Sequence, residues 1–276
     1  MAPRLAARGR GPQGLSGTPP PGGGWSSEDY LRFEDERTRP ARDLAARIPG
    51  EARTAADLGC GPGNSTEILL ERFPEASAIG IDSSPDMLAA ARRRLPDVRF
   101  ELGDIGAWTG PERFDVVFAN ASLQWVPDHA TVFPALFGRL APGGRLAVQM
   151  PDNLDEPTHR LMREVAGAGP WADRLADAAA ARAERHRPDW YWRLLRDEAR
   201  QVDIWRTTYH HPLAGAPAVI EWLRATGLRP FLAPLAPEES AAFLDRYQAA
   251  IAAAYPAEPD GTLLLHFPRL FLVASR

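Results

Sequence analysis

Between residues 54 and 150 the chain alternates short apolar runs with amphipathic segments, and this alternation restricts the possible fold more than any other feature. The runs cover 54–58, 78–82, 98–102, 115–119 and 145–150. They are too short for helices and too continuously apolar for strands with one wet face. Between them lie helical patterns: Phe133, Leu136, Phe137 and Leu140 fall at i, i+3, i+4 and i+7, and Ser84-Pro85 supplies an N-cap and a first helical residue. Alternating buried strands and helices imply a parallel sheet covered on both faces, an α/β fold.

The flanks read differently. Residues 1–24 hold 7 Gly and 5 Pro, too little apolar surface to offset the entropy of ordering, so they are expected to form a disordered tail. No apolar stretch of signal-peptide length occurs there. Residues 25–49 look helical, with Ser26 and Asp29 as a capping box. A second helix is expected to begin near Pro40, to present Leu44 and Ile48 on one face, and to stop at Pro49-Gly50. Beyond 150, an Ala/Arg-rich helical stretch is expected at about 158–199, a strand at 202–209, helices at 218–225 and 237–255, and a last strand at 263–274 interrupted at Pro268. The two late strands should join the same sheet, with helices inserted as a cap at about 155–200 and 213–256. Residues 25–276 thus read as a single domain around a 54–150 core.

Composition excludes several classes. With 45% hydrophobic residues the chain has material for a core, and a single Cys rules out a disulfide framework or a Cys-rich zinc site. No run approaches a membrane span. All 32 basic residues are Arg, which removes Schiff-base chemistry and a Walker-type lysine. The net charge is -4, and three Arg lie in the first 24 residues, so the body is more acidic still. That argues against nucleic-acid binding. A cytoplasmic protein without a metal site and without a membrane partner is the expectation.

The most informative segment is Ala56-Asp57-Leu58-Gly59-Cys60-Gly61-Pro62-Gly63-Asn64-Ser65. It follows a strand and opens a helix, where glycines let the backbone turn sharply and approach a ligand. An acid at the strand end is a poor neighbour for pyrophosphate and a good one for ammonium, so the loop favours a cationic amino-acid moiety such as that of S-adenosylmethionine. Asp82 ends the second strand and can accept from both ribose hydroxyls. Asp104 follows the third and can accept from an adenine amino group, with Ile105 packing on the ring. Asn120 ends the fourth. Four polar residues at successive strand ends converge where open α/β sheets bind ligands.

With Gly103-Asp104 and Asn120, these motifs resemble those of class I S-adenosylmethionine-dependent methyltransferases. A longer set is similar to the trans-aconitate 2-methyltransferase family. It includes Arg37-x-Arg39-Pro40, Asn120-Ala121-Ser122-Leu123-Gln124-Trp125, Gln149-Met150-Pro151-Asp152-Asn153, Glu156-Pro157-Thr158-His159, Val202-Asp203-Ile204-Trp205-Arg206-Thr207-Thr208-Tyr209, Thr226-Gly227-Leu228-Arg229-Pro230 and Phe267-Pro268-Arg269-Leu270-Phe271. The resemblance runs from Trp25 to the C-terminus. It implies a Rossmann-like fold with a seven-stranded, mostly parallel sheet. It also implies S-adenosyl-L-methionine as cofactor, and methyl-ester formation on a small polycarboxylate. The cofactor set it implies is Tyr30, Asp57, Gly59, Gly61, Gly63, Asn64, Asp82, Ser83, Met87, Asp104, Ile105 and Asn120.

The substrate side follows from the chemistry. A carboxylate is already ionised at neutral pH, with a reference pKa of about 4, so no dedicated catalytic base is expected. His129, His159, His210, His211 and His266 are read as packing or surface residues. A multiply charged acid calls for Arg forks, which points to Arg206, Arg229 and Arg269, with Tyr209 beside them. Gln124 and Trp125 should donate N–H bonds near the transferred methyl group, and Tyr30 and Phe33 should close over the cofactor. Esterification of another small acid or natural product, or cofactor binding by a non-catalytic regulator, remain alternatives at this point.

Overall fold

The computed structural model describes residues 34–180, 186–224 and 226–276, with side chains from Thr38 onward. The tail, Tyr30, Phe33 and the Ser26/Asp29 capping box lie outside the described residues.

Five strands are parallel: β1 (Thr54–Leu58), β2 (Ser77–Asp82), β3 (Arg99–Leu102), β4 (Phe114–Asn120) and β5 (Leu140–Pro151). Two long strands follow, β6 (Gln201–Leu213) and β7 (Leu263–Ser275). The sheet order is β3-β2-β1-β4-β5-β7-β6, with β7 antiparallel to both neighbours. The seven-stranded, mostly parallel sheet expected from the sequence is therefore present. Chain order reverses between β1 and β4, and the crevice above such a switch point is where ligands bind in open α/β sheets.

One face is covered by α1 (Glu34–Ala46), α2 (Asn64–Arg72) and α3 (Pro85–Arg94). Ala41, Leu44, Ala45, Ile68 and Leu69 pack there on Ala55, Phe118, Ala147 and Phe271. The other face carries α4 (His129–Gly138), whose Phe133, Leu136 and Phe137 meet Leu58, Val117, Val148 and Leu272.

The remaining helices are α5 (Pro157–Gly167), α6 (Ala172–Ala180), α7 (Pro188–Leu195), α8 (Gly215–Arg224), α9 (Arg229–Leu232) and α10 (Pro237–Ala254). A second apolar cluster joins Met162, Trp171, Leu175, Trp222, Phe231, Phe243 and Tyr247 to Leu263, Leu265 and Phe267. This cluster is the cap, and its foundation is a ribbon. Pairing of β5 with β7 ends at Pro151–Arg269, whereas β6 and β7 stay paired out to Leu213–Leu263. The ribbon overhangs the crevice edge and carries the cap beyond it. By contrast α7 buries Tyr191 and Leu195 in the main cluster, so it belongs to the α4 layer and not to the cap.

Three expectations need correction. No second helix starts at Pro40, because α1 runs through it; burial of Ala41, Leu44 and Ala45 outweighs one forfeited backbone bond. The 158–199 stretch is broken into pieces. Trp171 crosses Gly169, where a Cβ would lie 2.2 Å from the indole, and donates to the Val165 carbonyl at 3.0 Å; Pro188 opens α7 afresh. Finally, β7 is continuous through Pro268. The Pro268 carbonyl, which accepts from the Asp152 N–H at 2.9 Å, faces the side where β5 has ended. The missing Pro268 N–H points the same way, and pairing with β6 loses nothing.

Candidate active site

The loop between β1 and α2 is built around positive φ. Gly59 has φ 72°, and a Cβ there would stand 2.3 Å from the Ser122 Cβ. The contact is needed because the Ser122 hydroxyl donates to the Leu58 carbonyl at 2.6 Å, tying the β4 end to the β1 end. Gly63, the N-cap of α2, has φ 90° and lies against Ala91 of α3. Asp57 is fully buried. Its Oδ2 accepts from the Ser65 and Thr66 hydroxyls, both at 2.7 Å. Burial pushes its pKa up to about 6, with the two hydroxyls pulling down and Asp82 pushing up.

Asp82 closes the next corner. Its Oδ2 accepts from the Gly61 N–H at 2.9 Å and its Oδ1 from the Ser84 N–H at 2.8 Å. Burial raises its pKa against these backbone bonds. Each oxygen keeps acceptor capacity for a ligand hydroxyl. The Ser83 side chain is exposed, and Met87 is buried while its N–H meets the Ser84 hydroxyl at 3.4 Å. Asp104 is exposed and accepts from the Gly106 N–H at 2.8 Å, and Ile105 packs against the main cluster.

At the end of β4, Asn120 is buried and Ala121 takes φ 53°, an uncommon conformation for a residue with a Cβ and one that clusters at functional sites. The chain then enters a single 3-10 turn, Leu123–Trp125. Gln124 donates to the Ala121 carbonyl at 2.7 Å, and Trp125 is 40% exposed. His129 holds this turn from below. Its Nε2 meets the Leu123 carbonyl at 2.9 Å and its Nδ1 meets the Tyr191 hydroxyl at 2.7 Å. A carbonyl only accepts, so Nε2 carries the proton, and in the neutral ring Nδ1 accepts from the Tyr191 hydroxyl.

Strand parity sorts the remaining candidates. Asp57, Asn120, Gln149 and Arg269 all point to the α1 face, alternating with Ala56, Ala119, Val148 and Leu270 on the other. They form one row along the crevice edge, running from an acid on β1 to a cation on β7. Arg269 is buried; its guanidinium donates to the Gln149 Oε1 at 3.3 Å and lies 4.8 Å from the Phe267 ring centroid. Tyr209 is buried on the same face, where its hydroxyl donates to the Asp43 Oδ2 at 2.5 Å and Arg39 covers its ring. Burial and Asp43 both raise its pKa. That bond ties the overhanging ribbon to α1.

Arg206 is not in this row. Because Thr207 pairs with Arg269, Arg206 points to the opposite face, with its side chain 57% exposed and ion-paired to Asp152 at 2.6 Å. Arg229 opens α9 in the cap, beside the buried Leu228 and Phe231.

The row and the residues beside it show unfilled hydrogen-bonding capacity. Asp57 Oδ1, Asn120 Oδ1, Gln149 Nε2 and Arg269 Nε in the row, with Asn64 Nδ2 and Gln124 Oε1 beside it, are buried and make no hydrogen bond among the described residues. Buried polar atoms are rarely left so, and six of them near one sheet edge fit ligands that bring both donors and acceptors. The sequence did not mark Gln149 or Asp43 as a site residue, nor the pairing of His129 with Tyr191. Gln149 carried a usable signal, a polar residue closing an apolar run just as Asp57, Asp82 and Asn120 do. Asp43 and Tyr191 carried none, since their partners lie 166 and 62 residues away.

Residues 55–144 match the methyltransferase domain family. A trans-aconitate 2-methyltransferase of Methylobacterium radiotolerans is 59% identical over 91% of this chain and 98% of its own. That of Afipia carboxidovorans is 56% identical over 91% and 99%, and that of Yersinia pestis 55% over 91% and 97%. Among solved structures, the YcgJ protein of Bacillus shares the fold with a TM-score of 0.56 at 13% identity, covering 88% of this chain and 98% of that one. A Haemonchus contortus phosphoethanolamine N-methyltransferase gives 0.54 at 15% identity, covering 91% and 56%.

Proposed function

The chain belongs to the trans-aconitate 2-methyltransferase family, and on that premise we propose that it esterifies one carboxylate of trans-aconitate with a methyl group from S-adenosylmethionine. The observation that carries this reading is the polar row on the α1 face, graded from Asp57 through Asn120 and Gln149 to Arg269. It offers an anion to a cationic donor at one end and a cation to an anionic acceptor at the other.

The fit to the donor rests on the unfilled atoms. Asp57 Oδ1 and Asn120 Oδ1 suit an ammonium group, and Asn64 Nδ2 suits a carboxylate. An ammonium beside Asp57 would favour its ionised form against the burial that now opposes it. Gly59, Gly61 and Gly63 let the loop backbone approach the ligand; Asp82 and Ser83 face the ribose, and Asp104, Ile105 and Met87 the adenine. When bound, S-adenosylmethionine supplies an electrophilic methyl on a sulfonium, so that a carboxylate oxygen forms the O–CH3 bond as the S–CH3 bond breaks and its electron pair stays on sulfur.

No proton moves in that exchange, and the side chains have no base chemistry to perform. Their task is orientation, which alone supplies ~7–11 kcal/mol when reacting groups are held in line. Gln124 and Trp125, on a turn fixed by His129 and by the Ser122–Leu58 bond, limit where the carboxylate oxygen can sit. Arg269 grips a distal carboxylate and so aims the reacting one. The cap closes over the acid and excludes water. A cytoplasmic place of work is part of the same proposal, supported by a methyl donor that is an intracellular metabolite. Among the described residues, no helix is long and apolar enough to cross a membrane.

The test is a panel of mono-, di- and tricarboxylates, with release of S-adenosylhomocysteine and the mass of the ester as readouts. Trans-aconitate should lead the panel. Retention of S-adenosylmethionine without turnover on any acid would make the chain a binder, and preference for a monocarboxylate would move the substrate outside the polycarboxylates.

A further inference from the structure

Gln149 stands at the centre of the row, fully buried at the end of β5. Its register partner on β4 is Asn120, and the Ala121 N–H donates to its backbone carbonyl at 2.9 Å. It therefore sits against the strand end and turn that present Asn120, Gln124 and Trp125. On its other side is Arg269. A guanidinium has donors only, so the contact at 3.3 Å must use the amide oxygen. The usual ambiguity of an amide flip is thereby removed, and Nε2 is turned away from Arg269. That nitrogen carries two N–H donors, is buried, and makes no hydrogen bond among the described residues.

We propose that Gln149 is a substrate-specificity residue: its Nε2 donates to a carboxylate oxygen of the acid, in an orientation set by Arg269. The proposal deepens the reading under Proposed function and rests on it. Gln149 lies on the far side of Asn120 from the glycine loop, between the strand end where the methyl arrives and the cation that grips the distal carboxylate. Charge explains why an amide is suited to this place. A second guanidinium so near a sulfonium would repel it, and it would bind the carboxylate oxygen more strongly than a neutral donor does. A carboxylate side chain would repel the substrate. An amide pinned by Arg269 holds the oxygen without adding charge. Gln149 and Arg269 together then require two carboxylates at a fixed separation, so dicarboxylates and tricarboxylates should be accepted where monocarboxylates are not.

The variants are Gln149→Met, which keeps the length and loses both donors, and Gln149→Glu, which replaces the donors with an anion while leaving Arg269 an acceptor. Titration calorimetry reads binding without turnover: S-adenosylhomocysteine first, then trans-aconitate to the saturated complex. Both variants should keep S-adenosylhomocysteine affinity within about threefold, which also reports that they fold. Trans-aconitate affinity should fall about tenfold in Gln149→Met, as for one lost hydrogen bond to a charged group, and more in Gln149→Glu. Because the Arg269 guanidinium favours the ionised form of the introduced carboxyl group, the larger deficit of Gln149→Glu should persist at neutral pH as repulsion of the acid. A residue that only supports the sheet would lower S-adenosylhomocysteine affinity along with that of the acid. Unaltered trans-aconitate affinity in both variants would overturn this proposal alone. So would a parallel loss of S-adenosylhomocysteine affinity, which would place Gln149 in the cofactor site. Wild-type protein that bound S-adenosylhomocysteine but no polycarboxylate would overturn the substrate reading and this proposal together.

Discussion

At the C-terminal edge of the sheet the two faces end differently. On the α1 face four successive strands finish with Asp57, Asn120, Gln149 and Arg269, all buried, each with a hydrogen-bonding atom left unfilled among the described residues. On the α4 face the same strands finish in Leu58, Ala119, Met150 and Leu270, and the polar groups near them are satisfied or wet: His129 is bonded on both ring nitrogens, and Arg206 shares an exposed ion pair with Asp152. One face holds polar groups at a cost that only a ligand repays; the other is packed as a core is packed. Arg206 and Arg269 come from equally distinctive sequence motifs, yet the strand register places them on opposite sides of this division.

Removing the cation of the polar row gives the largest expected effect. Arg269→Leu should leave cofactor affinity within about threefold and lower kcat/KM for trans-aconitate by roughly 30-fold to a few thousand-fold, because losing one partner of a buried charge contact costs about 2–5 kcal/mol. Steady-state kinetics beside cofactor calorimetry decides it, and a loss confined to cofactor binding would empty Arg269 of its substrate role. Next in size is Asp82→Ala. Loss of hydrogen bonds to a carboxylate, about 1.5–3 kcal/mol, should weaken S-adenosylmethionine binding by about 10- to 150-fold. Unchanged affinity would mean that Asp82 serves only its own loop.

A third prediction concerns the cost carried by the polar face. The Asp57 pKa is about 6 in the folded chain against an ordinary 3.8, so between about pH 4 and 6 the folded state binds more protons than the unfolded one. Stability from the protonated form is present below about pH 4 and is lost as pH rises through 6, leaving a penalty of about 3 kcal/mol at neutrality. Asp57→Asn should therefore melt higher than wild type at pH 7 in the absence of ligand, and the gap should close towards pH 4. Saturating S-adenosylmethionine should reverse the order at pH 7. Melting curves that stay parallel from pH 4 to 8 would remove Asp57 as a stored cost. The smallest effect belongs to the other face. Arg206→Lys should change kcat/KM for trans-aconitate by less than about threefold, since exposed ion pairs contribute about 0–1 kcal/mol. A tenfold loss would return the carboxylate clamp to Arg206 and erase the contrast between the faces.

Much of the frame was legible in the sequence because it rests on local pattern. The apolar runs fall within one or two residues of β1 to β4, and Ser84 caps α3 as its position beside Pro85 suggests. The strand-end acids mark the crevice through residue type alone. What could not be read depends on register. Which face of the sheet Arg206 and Arg269 take follows from the pairing of Thr207 with Arg269, and a shift of one residue would exchange them. Pro40 and Pro268 misled for a related reason. Proline is read as a local breaker, yet one is held in a helix by what it packs against, and the other sits where the neighbouring strand has already stopped.

The position of β7 also has a consequence for how the molecule is made. It is the last strand in chain order and the one that fills the gap between β5 and β6. While the segment from 152 to 262 is being synthesised, the outer edge of the twelve-residue β5 has no partner, and β6 has no strand to join. Pairings of such long sequence separation form late and slowly, and an open edge invites pairing with other chains. Docking of the final strand closes the edge, seats the ribbon under the cap and delivers Arg269 to Gln149 in one event. A nascent chain can thus shape its glycine loop early, while the contact between Arg269 and Gln149 waits for that last strand to insert.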